Sequence, residues 1–105
     1  MKDIYFEVQS VLGKKIRTTK TYWDFIIQYK HPIIKKFENQ VKETLKNADE
    51  VRRSKIDISA YLYYKKYDTH YICVLAKHTN NDGFIITAYL ADKIKKGDII
   101  WKKKS

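Results

Sequence analysis

The fold is decided by residues 61–91, which read YLYYKKYDTHYICVLAKHTNNDGFIITAYLA. β-branched and aromatic residues recur there in short runs, which are interrupted by Asp68-Thr69 and by the polar residues 80–83. Such runs between turn residues are typical of strands. Because each joint is short, we expect an antiparallel meander. With the preceding segment included, the pattern predicts four strands, at 51–57, 61–67, 71–79 and 84–91.

The first half of the chain predicts a hairpin followed by two helices. Residues 4–12 and 16–18 mix apolar and polar side chains as strands do, and Gly13 lies in the turn between them. The apolar run at 22–29 predicts a helix that ends before Pro32, because the residue before a proline is pushed out of the helical region. A second helix is predicted by apolar residues at spacings of three and four, namely Ile34, Phe37, Val41 and Leu45.

Together these elements predict one α+β domain that covers residues 1–105. Its architecture is an N-terminal hairpin and two helices packed on a four-stranded antiparallel meander sheet. Residues 99–101 are expected to add a brief final strand. A length of 105 residues fits a single domain of this kind.

The chain carries 22 Lys and Arg against 12 Asp and Glu, a formal net charge of +10. A small domain this basic attracts polyanions, so RNA or DNA is the expected partner, although lysines also serve solubility.

One cysteine excludes an internal disulfide. The sequence has no His, Cys and Asp cluster at ligand spacing, so no metal or cofactor is expected. No apolar stretch approaches the roughly 18–20 residues of a membrane helix, so a cytoplasmic protein without a membrane partner is expected.

The hairpin loops set the predicted faces of the sheet. A two-residue loop at Asp68-Thr69 pairs Leu62 with Leu75, and a four-residue loop at 80–83 pairs Thr79 with Phe84. This register collects an apolar set on the face that we expect the helices to cover: Leu62, Cys73, Leu75, Phe84, Ile86, Ala88 and Leu90. Alternation places the polar candidates on the other face: Tyr61, Tyr63, Lys65, His78, Thr87 and Tyr89. Phenols, an imidazole, a lysine and a hydroxyl on a concave sheet predict a surface for phosphate and stacked bases.

Five short motifs follow one another along the chain: Ile16-Arg17-Thr18-Thr19, His31-Pro32, Arg52-Arg53-Ser54, Tyr61-Leu62-Tyr63-Tyr64 and Ile85-Ile86-Thr87-Ala88-Tyr89. In order and spacing they resemble the phage and mobile-element nuclease-like domains that are grouped with barnase, EndoU, the colicin ribonucleases and RelE. The resemblance implies helices followed by a four-stranded meander, and metal-independent cleavage of RNA, often as a toxin or effector. Beside RNA, a cognate acidic inhibitor or antitoxin would be the partner of such a toxin.

Cleavage of RNA through its own 2′-hydroxyl needs a base, an acid, and donors around the phosphorane. His31 titrates near neutrality and is a candidate base or acid, unless it caps a helix C-terminus. Arg53, with Arg52 beside it, is a candidate phosphate ligand or a solvated residue at a strand edge. Thr87 is a candidate donor to the phosphate or an ordinary strand residue.

Two further residues complete the predicted catalytic set. Tyr63 either stacks a base or packs in the core, and His78 is either a second acid or base or an exposed residue at a strand end. Glu50 is the carboxylate to consider if the base is acidic. Cys73 is expected to be a small buried hydrophobe. The residues expected to bind substrate, of which the first follows from the resemblance, are Arg17, Arg52, Lys65 and Tyr89.

The leading hypothesis is therefore a metal-independent endoribonuclease or ribonuclease-like toxin. The alternative is a catalytically inactive RNA- or DNA-binding module of the same fold. A third hypothesis is an interaction or structural domain whose charge serves solubility. The lysines at 93–96 and 102–104 are expected to add non-specific affinity for phosphate and not to belong to the site.

Overall fold

A computed structural model describes residues 3–104, and within this range seven strands form one mixed sheet. The strand order across the sheet is β1-β2-β6-β5-β4-β3-β7. Strands β2 and β6 pair in parallel, and all other neighbours pair antiparallel. The strands are β1 (Ile4–Gln9), β2 (Lys15–Thr19), β3 (Glu50–Arg53), β4 (Ala60–Tyr67), β5 (His70–Thr79), β6 (Asp82–Ala91) and β7 (Asp98–Lys102).

The helices lie between β2 and β3. Helix α1 (Lys20–Phe25) begins at Thr19, whose Oγ1 accepts a hydrogen bond from the backbone N–H of Tyr22 at 3.1 Å. It continues as a π-helical turn at Ile26–Lys30. A 3₁₀ helix at Pro32–Phe37 then leads directly into α2 (Glu38–Lys46). In the part of the chain that the structure describes, no helix is both long and apolar enough to cross a membrane.

The α+β class is confirmed, and strands β3 to β6 form the predicted antiparallel meander at the centre of the sheet. The four-stranded description is inexact at both sides of this meander. The N-terminal hairpin joins the same sheet, because Lys15 to Arg17 pair in parallel with Asp82 to Phe84. The short final strand extends the other side, where β7 pairs with β3. Pairing between segments so far apart in sequence leaves no local pattern that would predict it.

The helices cover one face of the sheet, which we call the helix-covered face. Its sheet residues include Tyr63, Val74 and Ala88, and they pack against Trp23, Ile26 and other apolar helix residues. The opposite, open face carries a smaller apolar cluster. The residues of that cluster are Leu62, Tyr64, Cys73, Tyr71, Leu75, Tyr89 and Ile94.

The predicted assignment of faces is wrong for most of β4 and β5. Leu62, Cys73 and Leu75 lie on the open face, where the segment around Ile94 covers them in part. Conversely, the helices cover the side of the sheet that was expected to be open. Both faces of this meander are largely apolar, so alternation alone cannot tell which one the helices cover. The residues that move from the predicted open face to the helix-covered face are Tyr61, Tyr63, Lys65 and His78.

Of the two hairpins, only the second departs from the predicted register. The first is as predicted, since Tyr67 pairs with His70 and Leu62 with Leu75. In the second, Thr79 pairs with Asp82 instead of Phe84, because only two residues form the turn and Asn80 adopts a left-handed φ of 52°. The residues Asp82 and Gly83, which resemble turn residues in the sequence, therefore begin β6.

A β-bulge at Ile86 then shifts the register of β6. Ala76 pairs with Ile85 but Leu75 pairs with Thr87, so Ile86 is the extra residue. As a result, Ile85 packs in the helix-side core while Thr87 falls on the open face opposite Leu75. The expectation that Thr87 and Tyr89 lie on the open face is thus confirmed, through a bulge that the sequence did not predict.

The bulge lies where β6 loses its outer strand partner. Pairing with β2 ends at Phe84, and beyond it β6 contacts the π-helical turn and the 3₁₀ helix. The Ile86 carbonyl oxygen accepts hydrogen bonds from Tyr22 Oη at 2.7 Å and from Lys30 Nζ at 3.3 Å. Side-chain donors of the helix thus take the place of a neighbouring strand.

We expect Gly83→Ala to lower the free energy of unfolding by about 1–3 kcal/mol. An added Cβ would collide with the carbonyl oxygen of Lys77 on β5 and would lie 2.7 Å from Ile16 Cδ1 on β2, so the joint between β5 and β6 must open and the Ile16 side chain must shift. Urea unfolding measures the loss. Asn81→Ala, in the exposed turn, is the control and should stay within about 0.5 kcal/mol of the parent protein. Equal stability of the two variants would contradict close packing at this joint.

Candidate functional site

The open face contains a pocket of about 610 Å³, which we call the open-face pocket. Its lining comes from the central strands, from the junction of the helices, and from the loops that follow β3 and β6. None of the lining residues, all within 3–104, is acidic. They are His31, Ser54, Lys55, Ile56, Leu62, Leu75, Thr87, Tyr89, Lys95, Lys96 and Gly97.

His31 reaches this pocket from the junction between the π-helical turn and the 3₁₀ helix. Its backbone N–H donates to the Ile26 carbonyl at 2.9 Å, and Pro32 prevents the helix from continuing unchanged. The imidazole packs on the ring of Tyr89 with a centroid distance of 5.4 Å. Partial burial, and then the charge of Lys30, lower the pKa of His31 below its ordinary value. The imidazole is therefore largely neutral at pH 7 and able to accept a proton.

Thr87 presents a buried hydroxyl at the same pocket. The residue is 9% exposed, and its Oγ1 has no hydrogen-bond partner among residues 3–104. A buried hydroxyl without a partner costs stability, and such groups are rare in folded proteins. Thr87 therefore holds, beside the pocket, a hydroxyl whose hydrogen-bonding capacity is unused within residues 3–104.

The loop after β3 forms one wall. Ser54 Oγ accepts hydrogen bonds from the backbone N–H groups of Ile56 at 3.1 Å and Asp57 at 3.3 Å, which fixes the turn and does not use the hydroxyl proton. Lys55 follows directly, and its ion pair with Asp98 is long, at 3.6 Å, and exposed. The side chain of Lys55 is thus free to move toward a ligand, because an exposed pair of this kind holds it weakly.

The loop after β6 forms the neighbouring wall. Arg52 Nη1 donates to the Gly97 carbonyl at 3.3 Å, and Gly97 has a left-handed φ of 85°. A Cβ on Gly97 would lie 2.6 Å from the Arg53 carbonyl oxygen, so only glycine lets this loop approach β3. The close approach brings Lys95 and Lys96 to the pocket, with Lys96 Nζ 5.6 Å from the centroid of Tyr89.

A second cluster lies on the helix-covered face. His78 stacks on Tyr61 with a centroid distance of 3.9 Å, and its Nε2 lies 2.8 Å from Tyr63 Oη. Tyr63 Oη also lies 2.9 Å from Ser10 Oγ. Burial, with a smaller effect of Lys14, lowers the pKa of His78 to about 4. Burial also raises the pKa of Tyr63 to about 12, so both groups are neutral at pH 7.

The structure therefore divides the predicted catalytic set. His31 and Thr87 meet at the open-face pocket, together with the predicted substrate residue Tyr89. Tyr63 and His78 lie on the helix-covered face, where their side chains form a hydrogen bond with each other. Arg53 is also directed away from the pocket, since its Nη2 lies 3.2 Å from Tyr61 Oη and its guanidinium 5.5 Å from that ring.

The remaining predicted residues make structural contacts. Arg17 forms ion pairs with Glu7 and Asp82, both at 3.2 Å, beside the parallel joint. Arg52 pairs with the buried carboxylate of Glu50 at 2.6 Å, and this occupies the predicted alternative base. Lys65 donates to the Asn47 carbonyl at the end of α2. Cys73 is buried as expected, and burial raises the pKa of its thiol to about 12.

The lysines that give the pocket its positive charge were not predicted from the sequence. Lys95 and Lys96 were expected to be non-specific, yet they line it. The signal in the sequence that could have indicated their role is Gly97, which follows them. A glycine at this position allows the basic loop to approach β3 closely. Ser54 and Lys55 also line the pocket, although Ser54 was named only as part of the Arg52-Arg53-Ser54 motif and Lys55 had no predicted role.

Comparison with protein-family models, with curated proteins and with solved structures gives no match for this chain.

We expect Thr87→Val to raise the free energy of unfolding by about 1–2 kcal/mol, because it removes a buried hydroxyl that lacks a partner and keeps the shape of the side chain. Thr44→Val is the matched control. Thr44 is also buried, but its Oγ1 donates to the Gln40 carbonyl at 2.7 Å, so this variant should not gain stability. Urea unfolding measures both. A loss of stability in Thr87→Val would show that the hydroxyl has a partner in solution.

The pKa of about 4 for His78 predicts an acid-sensitive fold. Between pH 6.5 and 4 the unfolded chain binds this proton and the folded chain does not, so stability falls as the pH is lowered. We expect a slope of up to about 1.4 kcal/mol per pH unit and a total of about 2–3 kcal/mol. His78→Gln should flatten the slope, measured by unfolding at several pH values. The exposed His70→Gln is the control and should keep it; an unchanged slope in His78→Gln would contradict the prediction.

Proposed function

We propose that this protein is a metal-independent ribonuclease that cleaves RNA at the open-face pocket. The observation that carries the proposal is the convergence of a neutral imidazole and an unpartnered buried hydroxyl in one basic pocket on the face of the sheet that the helices leave uncovered. The resemblance to the barnase–EndoU–colicin–RelE group supports the same chemistry, because two of its quoted motifs supply His31 and Thr87.

The first step of such a reaction is removal of a proton from the 2′-hydroxyl. His31 is the proposed base, since its lowered pKa leaves the ring unprotonated at pH 7. The oxygen then attacks the adjacent phosphorus, and the 5′-oxygen of the next nucleotide leaves. The products are a 2′,3′-cyclic phosphate and a free 5′-hydroxyl.

The second requirement is stabilisation of the phosphorane. The hydroxyls of Thr87 and Ser54 are neutral donors at the pocket, and Lys55, Lys95 and Lys96 supply positive charge. One of these ammonium groups is the proposed donor of a proton to the leaving oxygen. Lysines at an enclosed apolar floor stabilise charge more strongly than they do in bulk water.

The apolar floor has the character of a base or ribose site. Leu62 and Leu75 lie under the pocket, and the Tyr89 ring lies at its side against His31. An aromatic ring beside an aliphatic floor suits the flat face of a base. Tyr89 would thereby place the nucleotide and hold the imidazole at the same time.

A catalytically inactive RNA-binding module is the second candidate. The observation that favours it is that residues 3–104 supply the pocket with a single imidazole and no carboxylate, and so with no conventional pair of acid and base. The same lysines and the same floor would bind RNA without cleaving it. Retention of an intact oligonucleotide in a gel, with no products in EDTA, would favour this candidate.

We expect purified protein to cleave single-stranded RNA in EDTA, and His31→Ala to lower the rate by about 10²–10⁴-fold because the proton acceptor is lost. His70→Ala is the matched control, since His70 is an exposed histidine near the β4–β5 turn, and its rate should equal that of the parent. Both variants are first compared by thermal unfolding. The rate of the parent should fall as the pH drops below the pKa of His31, and His31→Ala should lose this acid limb.

Two results would contradict the proposed mechanism. A folded His31→Ala protein that cleaves at the parent rate would exclude His31 as the base. Products with 3′-hydroxyl ends that depend on added divalent ions would exclude attack by the 2′-hydroxyl altogether.

A further inference from the structure

Three aromatic rings form a ladder along α1 and its π-helical turn. The centroids of Tyr22 and Phe25 are 5.8 Å apart, and those of Phe25 and Tyr29 are 5.6 Å apart. Phe25 is 43% exposed and Tyr29 is 74% exposed. Neighbouring exposed rings on one side of a helix point to a surface that contacts a ligand.

This aromatic ladder begins at the edge of the open-face pocket. Tyr22 Oη and Lys30 Nζ both donate to the carbonyl oxygen of Ile86. Ile86 is followed by Thr87, and Lys30 is followed by His31, and both of these successors line the pocket. The ladder and the pocket are therefore adjacent at two places, at Ile86 and Thr87 on β6 and at Lys30 and His31 at the end of the helical run.

The charge along the aromatic ladder is positive. Lys30 Nζ lies 5.8 Å from the centroid of Phe25 and 6.0 Å from that of Tyr22. The carboxylate of Asp24, on the same helix, is held by Lys20 at 2.6 Å. Flat rings beside a cation suit a base and the phosphate attached to it, which is the combination used by proteins that bind single strands.

We propose that the nucleotide next to a dinucleotide held at the open-face pocket stacks its base on Phe25 and Tyr29, with its phosphate near Lys30. The inference rests on the proposed function for its ligand class, RNA, but not on catalysis. It makes the substrate single-stranded and longer than a dinucleotide, because a base must be unpaired to stack on a side chain.

The test compares two uncleavable probes, a six-nucleotide and a two-nucleotide 2′-O-methyl oligoadenylate, in which the attacking hydroxyl is blocked. Tyr29→Ala should weaken binding of the longer probe about tenfold, as expected for loss of one stacked base, and leave the shorter one unchanged. Tyr29→Phe keeps the ring and should bind as the parent does. Tyr67→Ala removes another exposed tyrosine, outside the ladder, and should also bind as the parent does.

The same six-nucleotide probe, annealed to its complement, provides a further control. Its bases are already stacked and paired, so Tyr29→Ala should not change its binding. Because Tyr29 is largely exposed, the variant should fold normally, and thermal unfolding is the measurement that checks this.

Three outcomes would overturn the inference. They are unchanged binding of the longer probe by both Tyr29→Ala and Phe25→Ala, an equal loss for both probe lengths, and no binding of the longer probe by the parent. Loss of binding that depends on length, in a protein that cleaves nothing, would leave the inference standing and refute the ribonuclease proposal. Cleavage by the parent protein, with no effect of Tyr29→Ala on binding, would support the ribonuclease proposal and refute the stacking inference.

Discussion

The site depends on one irregular residue, the bulged Ile86. By adding a residue to β6, it separates Ile85, which packs under the helices, from Thr87 and Tyr89, which face the pocket. Without the bulge, Thr87 would follow Ile85 onto the helix-covered face, because alternate residues of a strand share a face. The bulged residue's carbonyl oxygen also accepts a hydrogen bond from Lys30, the residue before His31.

The two inward-facing histidines show how environment decides what an imidazole does. His78 is stacked on Tyr61 and bonded to Tyr63, and both partners belong to the fold. His31 lies against Tyr89 at the rim of a pocket and keeps access to a ligand. Burial lowers both pKa values, but the two neutral rings have different surroundings: the His31 ring lies at the pocket, whereas the His78 ring bonds Tyr63, whose hydroxyl also reaches Ser10 in the N-terminal hairpin.

Local features could be read from the sequence, and distant pairings could not. The two-residue turn at Asp68-Thr69 and the apolar spacing from Ile34 to Leu45 were sufficient for the β4–β5 register and for the second helical segment. The bulge lies just after the point where pairing of β6 with β2 ends, at Phe84, and that pairing belongs to the tertiary structure. Since both sheet faces are apolar, Tyr63 and His78 were placed on the wrong one. His31 and Thr87 were predicted from their chemistry and both line the pocket, but the pocket lysines depend on a loop that only Gly97 brings close.

The parallel joint between β2 and β6 also constrains the order of assembly during synthesis. The hairpin of β1 and β2 is made first, yet its partner residues in β6 are made only after the helices and most of the meander. Until then the outward edge of β2 has no strand to pair with, and exposed edges of this kind invite pairing with other chains. The nascent chain is therefore most exposed to aggregation before Gly83 has emerged, and a chaperone that shields the β2 edge would act in that interval.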